Sequence, residues 1–276
     1  MTLAIAQIVG GQVALLSDTG ITFTESAAHE RRGLRVVLKT IILTPTTAIA
    51  YAGDIVRAHV AVQRWRRSWD SETTIQHFAD AHREDGLMDP DFIIATLLPT
   101  PSIIRIRGGE VERNLAAAWV GDDLTFRAFQ QLRAAGMEGP WARACTAFNE
   151  LVYDDQYSLV SGFKIETWSG QGGFRYLSSM GVTFDPVFST SSTTWERLPA
   201  RAAAEGGYSY NVLAPREAGI GAIALYFHQG AVGYLFHPRL SEEPFVLADL
   251  SIQELVEEVR RRWAFTLDAR FTFGKP

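Results

Sequence analysis

The amino-acid sequence predicts an α+β fold, and three observations carry that reading. Short apolar runs are separated by turn signals such as Gly10-Gly11 and Pro45-Thr46. Two pairs of segments with helical periodicity interrupt those runs. The resulting order, strands, two helices, strands, two helices, strands, fits a four-layer αββα sandwich.

The elements follow in sequence. Residues 3–9 and 12–18 read as two strands joined by Gly10-Gly11, and residues 19–34 are polar and loop-like. Val36 to Thr44 and Thr47 to Tyr51 form a second strand pair across Pro45-Thr46. Helical patterns cover Asp54 to Trp69 and, after the cap-like Ser71, Glu72 to Arg83. Phe92 to Leu98, Ile103 to Arg107 and the short run from Val111 read as strands. Leu124 to Ala134 and Pro140 to Tyr153 read as helices, the latter with proline in its first turn. Phe163 to Trp168 and Phe174 to Leu177 form a hairpin over a glycine-rich turn.

Beyond that point the pattern is sparser. Thr183 to Thr194 is polar and turn-rich, and Leu198 to Glu205 has the look of a short helix. Ala222–Phe227 and Ala231–Phe236 form a hairpin, and Ser251-Ile-Gln-Glu254 is a capping box before a helix running to Trp263. Two regions are expected: a core over 1–180, and a C-terminal extension over 181–276 that completes the core or is appended to it.

Composition removes several classes of function. A net charge of −5 leaves no basic footprint for nucleic acid. The apolar runs are strand-sized, so no membrane association is expected, and the first residues lack the pattern of a secretory signal. The expected compartment is cytoplasmic. Cys145 is the single cysteine and sits in a helical pattern as a structural thiol, and the six histidines have no metal-ligand spacing. No metal or other cofactor is expected. The basic residues are 23 Arg and only three Lys, at 39, 164 and 275. A partly buried lysine can adjust its pKa and deliver a compact charge, as arginine cannot, so Lys39 is either a site candidate or a chance lysine at a strand start.

Thr2 directly follows Met1 at the head of the first strand. Initiator methionine is usually removed before a small residue, and Thr2 would then carry a hydroxyl nucleophile and, on the same residue, an amine of pKa ~8 able to act as its base. Asp18 ends the second strand, Lys39 opens the third, and Ala52-Gly53 ends the fourth, where a glycine N–H can face an oxyanion.

These residues, over roughly 2 to 168, resemble the proteasome β-subunit branch of the N-terminal nucleophile (Ntn) hydrolases. The resemblance implies a threonine protease or amidase forming an acyl-enzyme on Thr2. It also implies that Lys39 favours the alkoxide-like hydroxyl and that Asp18 holds the Lys39 ammonium. Asp155 and Ser158, in Asp-Gln-Tyr-Ser, would orient the terminal amine, with Ser161 as an alternative to Ser158. Val37, Ile41, Tyr51 and Ile55 would select the substrate, a peptide or protein, or else serve as core residues.

The resemblance further implies a homo-oligomer and leaves room for an ATPase unfoldase partner. Departures are Gly20 in place of the family's arginine, Asp122 in place of a serine, where capping is the default role, and Leu159-Val160 interrupting the Ser-Gly-Gly element. Two alternatives stay open: a connectase-like transpeptidase, which shares the Met-Thr start and a C-terminal extension, and a non-catalytic scaffold or binding protein of the same fold.

Overall fold

The computed structural model describes residues 2–20, 36–65, 71–80, 90–153, 160, 162–183, 207–241 and 243–270. In chain order the elements are β1 (Leu3–Val9), β2 (Gln12–Ser17), β3 (Thr40–Thr44), β4 (Thr47–Ala52), α1 (Ile55–Trp65) and α2 (Ser71–Asp80). Next come β5 (Asp91–Thr96), β6 (Ser102–Arg107), β7 (Glu110–Leu115), β8 (Ala117–Gly121), α3 (Asp123–Ala135) and α4 (Pro140–Tyr153). The chain continues through β9 (Ile165–Gly170), β10 (Gly173–Tyr176), β11 (Ser179–Thr183), β12 (Tyr208–Leu213), β13 (Ile223–Phe227), β14 (Val232–Phe236), β15 (Phe245–Ala248) and α5 (Ile252–Trp263).

The strands form three antiparallel sheets, ordered β10-β9-β2-β1-β8, β3-β4-β5-β6-β7 and β11-β12-β13-β14-β15. The fold is therefore mixed α and β, as expected. Both residues of the β1–β2 turn have positive φ, 57° at Gly10 and 79° at Gly11, which matches the twist of a two-residue hairpin and sets Val9 opposite Gln12. β3 starts later than predicted. Val36 makes only an isolated bridge to Gly20, and regular pairing begins at Thr40 against Ala50. The predicted extensions of the two helices to Trp69 and Arg83, and the short helix over 198–205, reach or lie outside the described residues. Among the described residues no helix is long and apolar enough to cross a membrane.

Successive strand residues face opposite ways, and here both faces are covered. From β1, Ala4 and Ala6 enter a core shared by all three sheets, while Leu3 and Ile5 pack with Phe129 of α3 and Phe148 of α4. From β4 and β5, Ala48, Ala50 and Ile93 enter the shared core, while Ile49, Tyr51 and Phe92 pack with Val62 of α1 and Phe78 of α2. The third sheet repeats the pattern: Leu225 and Phe227 face the shared core, and Ala224 and Tyr226 meet Leu255 and Val259 of α5. Fully burying a side chain of this size stabilises by about 1.5–3 kcal/mol, so the C-terminal sheet contributes to the same core as the first two.

Hydrogen bonds tie the sheets together at one turn. The carbonyl of Pro45, between β3 and β4, accepts from Phe174 N of β10 at 2.7 Å. The carbonyl of Phe174 in turn accepts from Gly219 N, just before β13, at 2.8 Å. The Arg239 guanidinium donates to the Leu43 carbonyl nearby, and Gln63 Nε2 of α1 donates to the Pro238 carbonyl at 3.2 Å.

Candidate active site

β1 and β2 run antiparallel with Ala4 opposite Ser17, which brings Asp18 beside Leu3, one residue from Thr2. Asp18 Oδ1 accepts from the Leu3 backbone N–H at 3.1 Å, and Asp18 Oδ2 accepts from Lys39 Nζ at 2.6 Å. One carboxylate thus fixes the backbone next to Thr2 and a lysine from a different sheet. Neither side chain has any exposed surface.

The surrounding bonds explain why Lys39 sits there. Tyr51 N donates to the Lys39 carbonyl at 3.1 Å, and the Tyr51 hydroxyl donates to the Leu38 carbonyl at 3.1 Å. Thr40 Oγ1 donates to Ser17 Oγ at 2.9 Å, joining β3 to β2 immediately beside the ion pair. Thr19 continues the clamp: its carbonyl accepts from Val37 N at 2.8 Å, and its Oγ1 accepts from Phe163 N at 2.8 Å.

Burial dominates the electrostatics. Removal from water disfavours both charges, pushing the Asp18 carboxyl up and the Lys39 ammonium down. Their mutual attraction and hydrogen bond act in the opposite direction on each, and the Leu3 N–H also favours the Asp18 anion. Such a pair is worth little unless its geometry is good, and removing one partner leaves a buried charge uncompensated.

Thr2 itself is 3% exposed. Its carbonyl accepts from Asp122 N at 3.1 Å, so β8 holds it from the other side. This contact depends on Gly121, whose φ is +119° and where an added Cβ would overlap the Thr2 carbonyl oxygen. Asp122 has the capping role: its Oδ2 accepts from Thr125 N at 2.7 Å and from Thr125 Oγ1 at 2.8 Å.

The other predicted positions are distributed as follows. Gly53 follows β4 in a bend, with φ +92°, and is exposed. Asp155 and Ser158 lie outside the described residues, as does Ser161. Ile41 and Tyr51 are fully buried in the core under α1 and α2, and Ile55 packs against the same cluster. Val37 lines a small cavity with His59 of α1 and with Phe236, His237 and Pro238 from the end of β14. The third sheet therefore reaches the neighbourhood of Lys39.

Sequence reasoning missed Gly121, Thr19 and the Ser17–Thr40 pair. Ser17 and Thr40 each adjoin a predicted site residue, and that adjacency was the available signal. Cys145 is half-buried, and burial, then the Glu166 charge, push its thiol up to about 12. Among the described residues no group of three or more His, Cys, Asp and Glu side chains could hold a metal.

No family model matches the chain, and no curated protein matches it in sequence.

Proposed function

We propose that this chain is a proteasome-like N-terminal threonine hydrolase that cleaves peptide or amide bonds through an acyl-enzyme on Thr2. The observation that carries the reading is the Asp18–Lys39 ion pair, fully buried, 2.6 Å long, and anchored to the backbone beside Thr2. A lone threonine at a strand start has no need of a buried lysine from another sheet. The layering supports the same reading: α3 and α4 pack outside the first sheet, α1 and α2 outside the second, and β1 and β8 face β4 to β6 between them. That arrangement fits a four-layer αββα sandwich of the Ntn type, to which the third sheet is added.

In the proposed cycle the Met1–Thr2 bond is cleaved first, freeing the Thr2 amine. That amine takes the proton from Thr2 Oγ as the oxygen attacks the substrate carbonyl carbon, and the Lys39 charge stabilises the developing anion on Oγ. The tetrahedral oxyanion is met by a backbone N–H, assigned to Gly53. The ammonium of Thr2 then returns the proton to the leaving amine, giving an ester on Oγ. Water attacks that ester, passing its proton back through the Thr2 amine, and regenerates the hydroxyl.

The test is peptide mapping of the full chain after exposure to a β-lactone probe. The expected result is a mature terminus at Thr2 and added probe mass on Thr2, with none on the Thr2→Ala variant. Retained Met1 throughout, or label at another residue, would sink the mechanism and favour a non-catalytic protein of this fold.

A further inference from the structure

A cleft of about 450 Å³ lies where the first and third sheets meet, lined by Arg175 and Tyr176 of β10, Ser178 in the β10–β11 connection, Arg216 after β12, and Asp268 and Arg270 after α5. Its volume falls in the range of small-molecule sites. In a chain of net charge −5, three arginines converge here against a single carboxylate.

That carboxylate is already occupied. Asp268 accepts from Arg270 Nε at 2.8 Å on one oxygen and 3.0 Å on the other, from Arg270 Nη2 at 2.5 Å, and from the Arg270 backbone N–H at 3.2 Å. Arg175 and Arg216 are both exposed, and among the described residues neither forms an ion pair or donates a side-chain hydrogen bond. Arg216 also acts on Asp268 through space, helping to hold its carboxyl down, so three arginines share one carboxylate and the cleft keeps a surplus of two positive charges. The Tyr176 hydroxyl cannot offset that surplus, since it donates to the Thr40 carbonyl at 2.8 Å and accepts from Ile42 N at 3.3 Å. Ser178 Oγ accepts from Ala214 N at 3.0 Å and makes only a 3.4 Å contact with the Asp268 carbonyl, so its proton can turn to a ligand.

We propose that this cleft binds a small phosphorylated molecule, the phosphate held between Arg175 and Arg216. Guanidinium forks match phosphate oxygens in pairs, and a phosphate monoester, with a charge of about −1.5 to −2 at neutral pH, offsets the surplus of two positive charges where one carboxylate would offset half of it. The site is independent of Thr2 and of the proposed hydrolase activity.

The test uses the full chain at constant ionic strength, titrated calorimetrically with phenyl phosphate, with inorganic phosphate, with succinate and with an oligoglutamate peptide. Saturable binding of phenyl phosphate and inorganic phosphate, weakened about tenfold or more in Arg175→Gln and in Arg216→Gln, is the expected result. Arg113→Gln on β7 should bind like the parent. Both cleft arginines are exposed, so their variants should keep the parental thermal midpoint, which is measured alongside. Phosphate binding that fails to saturate, that weakens equally in Arg113→Gln, or that is surpassed by succinate or oligoglutamate would overturn the proposal.

Discussion

Two carboxylate–cation pairs in this molecule have nearly the same length, Asp18–Lys39 at 2.6 Å and Asp268–Arg270 at 2.5 Å, and opposite surroundings. The first is wholly enclosed between two sheets. In the second, the Arg270 side chain keeps 76% of its surface in water. Distance alone would rank them as equals. Burial separates them: both enclosed charges are cut off from water, whereas in the outer pair only Asp268, at 11% side-chain exposure, is sheltered and water can take the place of Arg270 at a smaller cost. The inner pair therefore carries a larger desolvation cost than the outer pair does.

The largest effect that would sharpen or break this contrast is expected from Lys39→Ala. It strands the Asp18 charge in the core, and urea unfolding should show a loss of about 3–5 kcal/mol. Lys39→Arg should fold yet lose most of the proposed hydrolytic activity, because the guanidinium keeps the charge but changes its shape and reach. Parental stability in the alanine variant would mean that water reaches the pair, and parental turnover in the arginine variant would remove Lys39 from the chemistry.

A smaller effect, of opposite sign at the two sites, is expected from pH. Burial outweighs Lys39 at Asp18 and pushes its carboxyl up, so the folded state holds that proton more tightly than the unfolded one. The associated stability is present below the ordinary carboxylate value and is lost as pH rises through the raised value. Asp268 is held down, first by its hydrogen bonds from Arg270. Its contribution is present above the ordinary value and is lost as pH falls through the lowered one. Urea midpoints of Asp18→Asn and Asp268→Asn, each compared with the parent from roughly pH 3 to 7, should diverge in opposite directions. Parallel trends would refute the assignment of burial as the dominant cause at Asp18.

The smallest effect is expected from Arg270→Ala, whose urea unfolding near neutral pH should show a loss several-fold smaller than that of Lys39→Ala, and one that shrinks with added salt. A loss as large as that of Lys39→Ala would show that the distinction by burial fails.

How legible all this was in the chain depends on the range of the interaction that fixes each part. Gly10-Gly11, Pro45-Thr46, Pro140 and the Ser251–Glu254 capping box are local devices, and the elements they bound lie within a few residues of the positions read from sequence. Four strands were missed for physical reasons. β8 is rich in alanine and runs directly into the Asp122 cap, so it carries little alternation. β12 places Asn211 in a fully buried position, which masks its apolar pattern, and β11 and β15 are short edge strands. At the candidate site, the resemblance pointed to Asp18 and Lys39 as partners, and the fold does bring them into one buried ion pair. Gly121 was not legible, because the need for glycine arises from Thr2, on a neighbouring strand but far away along the chain.

The bonded turn at Pro45 also bears on how the polypeptide acquires its shape. Pro45 emerges early in synthesis, its partner Phe174 much later, and Gly219 later still, yet the three are joined in one short relay of hydrogen bonds. Closing such distant loops costs chain entropy before any contact is gained, so structures of this kind assemble slowly and keep apolar strands uncovered meanwhile. The β3–β4 hairpin can form by itself while its inward face waits for β10 and β13. During translation this nascent chain is therefore a natural client for chaperones, and its yield on recombinant expression should improve at low temperature or with added holdase more than that of a protein built from local contacts.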